Sequence, residues 1–148
     1  MKERIEKTME ALRKNNMDAY YAETGAQARA LALSLIPAGA VCASGGSVTL
    51  SETGIIDALK SGDYRYIDRS AARLTPEERE AAMIRAMTAD FYLSSANAVT
   101  EEGTLYNVDG NSNRVSALLY GPKNVIIVAG VNKLVKNLDE AIRRVKTV

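Results

Sequence analysis

Two segments of this chain concentrate side chains that could bind a polar ligand. Residues 45–52 read Gly-Gly-Ser-Val-Thr-Leu-Ser-Glu, and residues 94–114 are rich in serine, asparagine, glutamate and aspartate. Glycine lets the backbone approach a ligand closely, and the N–H groups at the start of a helix bind phosphate or carboxylate. Because a hydrophobic core does not need such residues, we interpret the two segments as parts of a site for a small anion.

The candidate ligand-binding residues come from both segments. The first would supply backbone N–H donors, and the second would orient hydroxyl or carboxylate groups of the ligand. Arg114 falls in the first turn of a predicted helix, where the helix dipole disfavours a cation, and this placement favours contact with an anion. The predicted set is Gly45, Gly46, Ser47, Thr49, Glu52, Asn97, Asp109, Gly110, Asn113 and Arg114.

Two carboxylates are candidates for proton transfer, although each also has a structural interpretation. Glu52 could act as a base, but its spacing from Thr49 favours a capping box at the start of a helix. Asp109 could act as a general acid or base, but Asp-Gly is also a common turn dipeptide, and the sequence favours neither interpretation. The sequence therefore assigns no catalytic residue, and Glu52 and Asp109 are the two candidates.

Other chemistry-bearing residues have simpler structural interpretations. Glu101 and Glu102 are consecutive at the tip of a predicted hairpin, which indicates a solvated turn rather than a paired-carboxylate site. Lys133 is expected to be solvated, and Cys42 is expected to be buried in an apolar strand. The glycine pair matches neither a Walker A loop nor a G-x-G-x-x-G fingerprint.

The composition excludes several classes of function. The chain has 148 residues, no histidine, one cysteine and a formal net charge of +1. Without histidine there is no Ser-His or Cys-His nucleophile and no zinc site built on imidazole. The predicted site contains no metal and no cofactor. A balanced charge argues against nucleic acid as a partner, and no apolar run approaches the ~20 residues that span a bilayer. We expect a cytoplasmic protein of one domain, residues 1–148.

Apolar periodicity predicts alternating helices and strands. The clearest N-terminus of a helix is at Thr75, which is followed by proline and by Glu78 three residues later. Similar capping patterns occur at Thr24 with Gln27 and at Asn137 with Glu140. Helices are predicted over residues 5–14, 24–36, 49–61, 75–88, 113–120 and 137–146, and strands over residues 17–22, 40–43, 64–67, 91–93, 98–100, 104–106 and 125–129.

This alternation predicts a three-layer α/β domain with a parallel sheet and one small inserted hairpin at residues 98–106. In such folds ligands bind beyond the carboxyl ends of the strands. Residues 45–47 and 94–97 each follow a predicted strand, so both polar segments are expected at the same edge of the sheet.

At these residues the chain resembles the lactate-utilisation (LUD) domain family, including members like lactate-utilisation protein C. The matching segments are residues 45–54, the Tyr-Ile-Asp-Arg element at residues 66–69, and residues 95–103, 107–115 and 121–125. The family usually has Thr-Gly where this chain has Asn111 and Ser112. Many relatives continue with a cysteine-bearing tail, which leaves open that this chain lacks a C-terminal extension found in them.

The resemblance implies a fold similar to ribose-5-phosphate isomerase, glucosamine-6-phosphate deaminase and the CoA transferases. Residues 96–110 look like the segment that carries an acidic catalytic residue in the sugar-phosphate isomerases of that superfamily. The corresponding position here is Asn97, an amide that cannot exchange a proton near neutral pH. The family is associated with L-lactate oxidation, in which iron–sulfur partner proteins would handle electrons.

Three functions are therefore carried forward. The first is a protein of lactate or organic-acid utilisation that binds a small anionic or phosphorylated metabolite. The second is an enzyme of the sugar-phosphate isomerase or CoA-transferase type, and the third is an interaction subunit of an iron–sulfur lactate-oxidation complex. The expected partners are the metabolite and redox proteins, with no nucleic acid and no membrane, and a homodimer is left open.

Overall fold

The computed structural model describes residues Met1–Val148. The chain forms two compact units, one of Thr24–Ser95 and Asp109–Val128, and the other of Met1–Glu23, Ala96–Val108 and Ala129–Val148. The helices are α1 (Lys2–Lys14), α2 (Gly25–Ser34), α3 (Val48–Glu52), α4 (Ile55–Ser61), α5 (Pro76–Ala86), α6 (Asn113–Leu119) and α7 (Leu138–Thr147). The strands are β1 (Val41–Ser44), β2 (Arg65–Tyr66), β3 (Phe91–Ser94), β4 (Ala98–Thr100), β5 (Leu105–Tyr106), β6 (Asn124–Ile127) and β7 (Leu134–Val135).

The first unit, which we call the sheet unit, contains a parallel four-stranded sheet in the order β2-β1-β3-β6. Alternate residues of the central strands face opposite sides, because successive side chains of a strand point to opposite faces. Cys42 and Leu93 pack with leucine and isoleucine side chains of α3 and α4, whereas Ala43 and Tyr92 pack with alanines of α5 and α6. Helices thus cover both faces of the sheet, which confirms the three-layer α/β architecture.

Cys42 lies at the centre of this sheet with no exposed surface. Burial first, and then the charge of Asp90, raise the pKa of its thiol to about 11. The thiol is therefore protonated at neutral pH and belongs to the core, as predicted.

The second unit, which we call the hairpin unit, contains a three-stranded sheet in the order β5-β4-β7. Strands β4 and β5 form the predicted antiparallel hairpin, and β7 pairs with β4 in parallel. Ala98, Val135 and Ala141 of α7 form its buried core with Tyr106. Because β7 adds a third strand, the hairpin is part of a small mixed sheet.

The predicted helix starts are confirmed where side-chain capping is clearest. Thr75 and Glu78 form a complete capping box at α5, Thr24 accepts the N–H of Gln27, and Asn137 accepts the N–H of Glu140. These local hydrogen bonds satisfy donors that a helix leaves unpaired in its first turn.

Two predicted elements differ from the structure, and one strand was not predicted. Residues 17–22 form no strand, and the two-residue strand β7 was missed. The single helix predicted over residues 49–61 is interrupted at Gly54, whose φ of +75° separates α3 from α4. None of the helices has the combination of length and apolarity needed to cross a bilayer.

Candidate functional site

A pocket of about 210 Å³ opens at the carboxyl ends of β1 and β2 in the sheet unit. Its hydroxyl groups come from four serines and one tyrosine, its single cation is Arg69, and it contains no carboxylate. The lining residues are Ser44, Gly45, Gly46, Ser47, Ser51, Ile56, Tyr66, Arg69 and Ser70. A pocket with this lining suits a small anion that also carries hydroxyl groups.

The loop after β1 packs closely against two arginine side chains at residues 45 and 46, which have no side chains of their own. Its first residue continues the sheet, since the N–H of Gly45 donates to the carbonyl of Leu93 at 2.9 Å. A Cβ at Gly45 would lie 2.9 Å from Cδ of Arg114, and a Cβ at Gly46 would lie 3.2 Å from a terminal nitrogen of Arg69. The glycine pair therefore lets two guanidinium side chains approach the backbone.

Ser47 ends this loop and caps α3. Its hydroxyl accepts the N–H of Leu50 at 3.2 Å, and its carbonyl accepts the N–H of Ser51. The capping box predicted for Thr49 and Glu52 is wrong, because the helix begins two residues earlier than expected. Glu52 instead closes the helix, is exposed, and does not line the pocket.

Arg69 is positioned by the loop that follows β2. Asp68 accepts the N–H of Ser70 at 3.0 Å and its hydroxyl at 2.8 Å, and Lys60 pairs with the same carboxylate at 3.3 Å. Burial alone would raise the pKa of Asp68, but the hydrogen bonds from Ser70 and the Lys60 charge lower it. The carboxylate is thus ionised and holds the loop in one conformation.

The guanidinium of Arg69 has no carboxylate partner of its own. Its protein acceptor is the sulfur of Met83 at 3.4 Å, and a thioether is a weak acceptor. Arg69 is half-buried on the wall of the pocket. An anion in the pocket would stabilise a half-buried guanidinium of this kind.

Tyr66 and Ser44 form the floor of the pocket between β1 and β2. Their hydroxyl oxygens lie 2.7 Å apart in a hydrogen bond. Burial raises the pKa of Tyr66, with the hydrogen bond from Ser44 acting in the opposite direction. Both hydroxyls are therefore neutral and can only donate or accept hydrogen bonds.

Arg114 lies against the other glycine of the pair, Gly45, and does not line the pocket. Besides contacting Gly45, it donates to the carbonyl of Ser95 at 3.2 Å. This contact confirms that the segments after β1 and β3 meet at one edge of the sheet, because β1 and β3 are parallel neighbours.

Asp109 serves the start of α6. Its carboxylate accepts the N–H groups of Asn111 at 3.1 Å, Arg114 at 2.8 Å and Val115 at 3.1 Å. Burial would raise the pKa of Asp109, but these three donors and the Arg114 charge lower it. A carboxylate held in this way is ionised at neutral pH and has few lone pairs left for proton transfer.

Ser112 precedes α6 with a φ of +60°, a backbone conformation that favours glycine. The family resemblance implies glycine here, so the predicted departure at Ser112 falls at a left-handed backbone position. The side chain of Ser112 does not cap the helix, which leaves that role to Asp109.

The remaining predicted residues are dispersed. Asn113 donates to the sulfur of Met83 at 3.6 Å, and Gly110 has no atom within 4 Å of where its Cβ would be. Asn97 belongs to the hairpin unit, where its carbonyl oxygen accepts the N–H of Val108 at 3.0 Å. Of the predicted ligand-binding residues, only Gly45, Gly46 and Ser47 line the pocket.

Glu101 differs from its predicted role as a solvated turn residue. It is buried in the hairpin unit and pairs with Arg4 and, at 3.3 Å, with Lys7 of α1. The hydrogen bond from Arg4 is the main reason why its pKa is lowered, and Lys7 adds to the effect. Glu102 remains exposed, so the two glutamates do not form a paired-carboxylate site.

The sequence did not identify the cation and the tyrosine of the pocket. Arg69 and Tyr66 belong to the Tyr-Ile-Asp-Arg element of the family resemblance, but they are not among the predicted ligand-binding residues. The signal that could have found them is the predicted strand over residues 64–67, because Tyr66 ends the observed strand β2 and Arg69 lies in the loop that follows it. No group of three or more Cys, Asp or Glu side chains could hold a metal ion.

Comparison with protein families gives a match to the LUD domain over residues 5–148. Comparisons with curated proteins and with solved structures give no significant match. The likeness to sugar-phosphate isomerases and CoA transferases therefore stays a prediction from sequence.

Proposed function

This chain belongs to the LUD domain family, which is associated with lactate utilisation, and from that premise we propose that it binds a small anionic metabolite. The binding site is the pocket after β1 and β2. The ligand's anionic group contacts Arg69, and its hydroxyl groups contact the surrounding serines and Tyr66.

The observation that carries this proposal is the environment of the Arg69 guanidinium. It lies on the wall of a pocket without carboxylates, next to the backbone of Gly46, and has only a thioether as acceptor. A partly desolvated guanidinium loses hydration that an anion can replace, and bidentate pairing with carboxylate or phosphate suits its planar geometry.

The size and lining of the pocket indicate the ligand class. A volume of about 210 Å³ is below the range typical of drug-sized ligands, so the ligand is small. Ile56 is the one large apolar residue of the lining, whereas hydroxyl groups dominate it. A short hydroxy acid or a small phosphate ester fits this chemistry, and L-lactate belongs to the first class.

The catalytic alternative has less support. Glu52 is exposed outside the pocket, and the oxygens of Asp109 accept backbone N–H groups. Neither is placed as a base beside Arg69. The isomerase or transferase hypothesis therefore stays a prediction without a specific observation in its favour.

The interaction-subunit alternative also stays a prediction. Leu119 and Tyr120 at the end of α6 are 80% and 87% exposed. Single exposed apolar residues are normal on soluble proteins, so this pair alone does not define a docking surface.

The test replaces the cation of the pocket. We expect Arg69→Gln to weaken binding of the preferred anion by about ten- to hundredfold, the range for one charged hydrogen bond. Isothermal titration calorimetry with L-lactate, other short hydroxy acids and ribose 5-phosphate would measure the affinity and identify the class.

Arg73→Gln is the matched control, because it removes the same charge from an exposed residue outside the pocket. It should leave the affinity unchanged. Equal affinities of wild type and Arg69→Gln for every ligand would overturn the proposal, as would equal weakening by both variants.

A further inference from the structure

A second cavity, of about 280 Å³, lies within the hairpin unit, and the function proposed above does not use it. Its walls come from the segment before β4, the end of the hairpin, the 3₁₀ turn Val131–Lys133, and α7. The lining residues are Ala96, Asn97, Val108, Lys133, Arg144, Val145 and Val148. Their side chains include two cations and no carboxylate, and Val148 contributes the terminal carboxylate.

Arg144 gives the clearest indication of a ligand. Its Nε is buried and has no hydrogen-bond acceptor in the protein, and it is the only buried side-chain nitrogen or oxygen in this state. Arg144 also forms no ion pair with a carboxylate. Because buried donors are almost always satisfied in folded proteins, the unsatisfied Nε marks Arg144 as a side chain that an acceptor bound at this cavity would stabilise.

Two further polar side chains face the same cavity. Lys133, which the sequence predicted to be solvated, is half-buried at the end of the 3₁₀ turn. Asn97 is oriented by the N–H of Val108, which donates to its carbonyl oxygen at 3.0 Å. The rest of the lining is apolar, which would contact the uncharged part of a ligand.

We propose that this cavity is a second anion site, in which Arg144 and Lys133 bind a carboxylate or phosphate group and Val108 and Val145 contact the ligand's apolar part. This assignment retains Asn97 as a ligand-binding residue, but in a different site from Gly45 and Gly46. Its four walls come from separate segments of the chain, so the site depends on the tertiary fold of the hairpin unit.

A titration of ¹⁵N-labelled protein with inorganic phosphate, at constant ionic strength with sodium chloride, tests the proposal. We expect amide shifts around Asn97, Lys133 and Arg144 that saturate. Arg144→Gln should weaken the phosphate affinity measured at these amides by about ten- to hundredfold, because it removes a charged hydrogen bond. A parallel titration with L-lactate distinguishes a carboxylate site from a phosphate site.

Arg143→Gln is the matched control, because it removes the same charge from the neighbouring, exposed residue of α7. Lys133→Gln, with exposed Lys136→Gln as its control, tests the site without altering α7. Affinities unchanged in both Arg144→Gln and Lys133→Gln, or weakened equally in the control variants, would overturn the proposal.

The two proposed sites can fail independently in this experiment. Arg69→Gln should weaken the phosphate affinity measured near Gly45 and Gly46 and leave the affinity measured near Arg144 unchanged, and Arg144→Gln should do the reverse. Loss of both sets of shifts in Arg144→Gln, with the fold intact by circular dichroism, would contradict a separate second site.

Discussion

Asp109 directs both carboxylate oxygens to backbone N–H groups, and these contacts decide what the residue can do. Spacing alone left a catalytic residue and a turn residue as equal alternatives, because Asp-Gly serves both. The three donors at the start of α6 favour the structural role. The sequence could not show this, since the last donor lies six residues further along the chain.

We expect Asp109→Ala to destabilise the protein by about 1–2 kcal/mol at neutral pH, because the first turn of α6 loses its acceptor. The pKa of Asp109 is lowered in the folded state. The stabilisation is therefore complete above the ordinary carboxyl pKa and is lost as the pH falls through the lowered value. Urea unfolding of wild type and variant at several pH values would measure this difference.

Asp18→Ala is the control for this substitution, because Asp18 is exposed and its carboxylate makes no hydrogen bond. It should change the free energy of unfolding by less than about 0.5 kcal/mol. If Asp109→Ala were no more destabilising than Asp18→Ala, the capping role would be wrong.

At the scale of elements, the sequence predicted those that carry strong local signals and missed those that depend on partners. The local sequence alone is sufficient to predict the capping box at Thr75 and the apolar strands β1, β3 and β6. Strand β7 has only two residues and exists because it pairs with β4. Residues 17–22 have strand-like composition but no neighbouring strand to pair with.

The tight turn between β4 and β5 depends on Gly103. Its φ is +84°, and a Cβ there would lie 2.7 Å from the carbonyl carbon and oxygen of Ala11 in α1. We expect Gly103→Ala to destabilise the protein by about 1–3 kcal/mol, because backbone atoms cannot move aside as a flexible side chain would. Thermal unfolding followed by circular dichroism would measure the change.

Gly110→Ala is the matched substitution, since no heavy atom lies within 4 Å of the added Cβ. It should change the free energy of unfolding by no more than about 0.5 kcal/mol. Similar effects of the two substitutions would show that the contact with α1 does not restrict residue 103.

At the scale of the whole molecule, the sequence predicted one anion site, whereas its candidate residues lie in two compact units. Residues 94–114 are continuous in sequence, but residues 96–108 belong to the hairpin unit and the remainder to the sheet unit. Long-range contacts determine this division, and local patterns of hydrophobicity do not contain them. The single-domain organisation remains a prediction.

The protein as a whole should lose stability in acid without a transition near pH 6.5. It contains no histidine, and the folded state lowers the pKa values of Asp68, Asp90, Glu101 and Asp109. Lowered carboxyl pKa values stabilise the protein above their ordinary range, and this stabilisation decreases as the pH falls below roughly 4. Urea unfolding between pH 3 and pH 8 should give constant stability from roughly pH 5.5 upward, and an inflection near pH 6.5 would contradict this assignment.

The two helical layers of the sheet unit differ in the size of the side chains that separate helix from strand. On one side Ala43 faces alanines at positions 86, 89 and 117, whereas Leu50, Ile55 and Leu59 fill the other side. An alanine packed in this way has no smaller apolar side chain to exchange except glycine, and any larger one must push a helix outward. On the other side, leucine and isoleucine can replace each other, because their side chains have similar volumes. Variation of this sequence is therefore expected to differ between these positions, with the four alanines nearly invariant and Leu50, Ile55 and Leu59 free to change while keeping their volume.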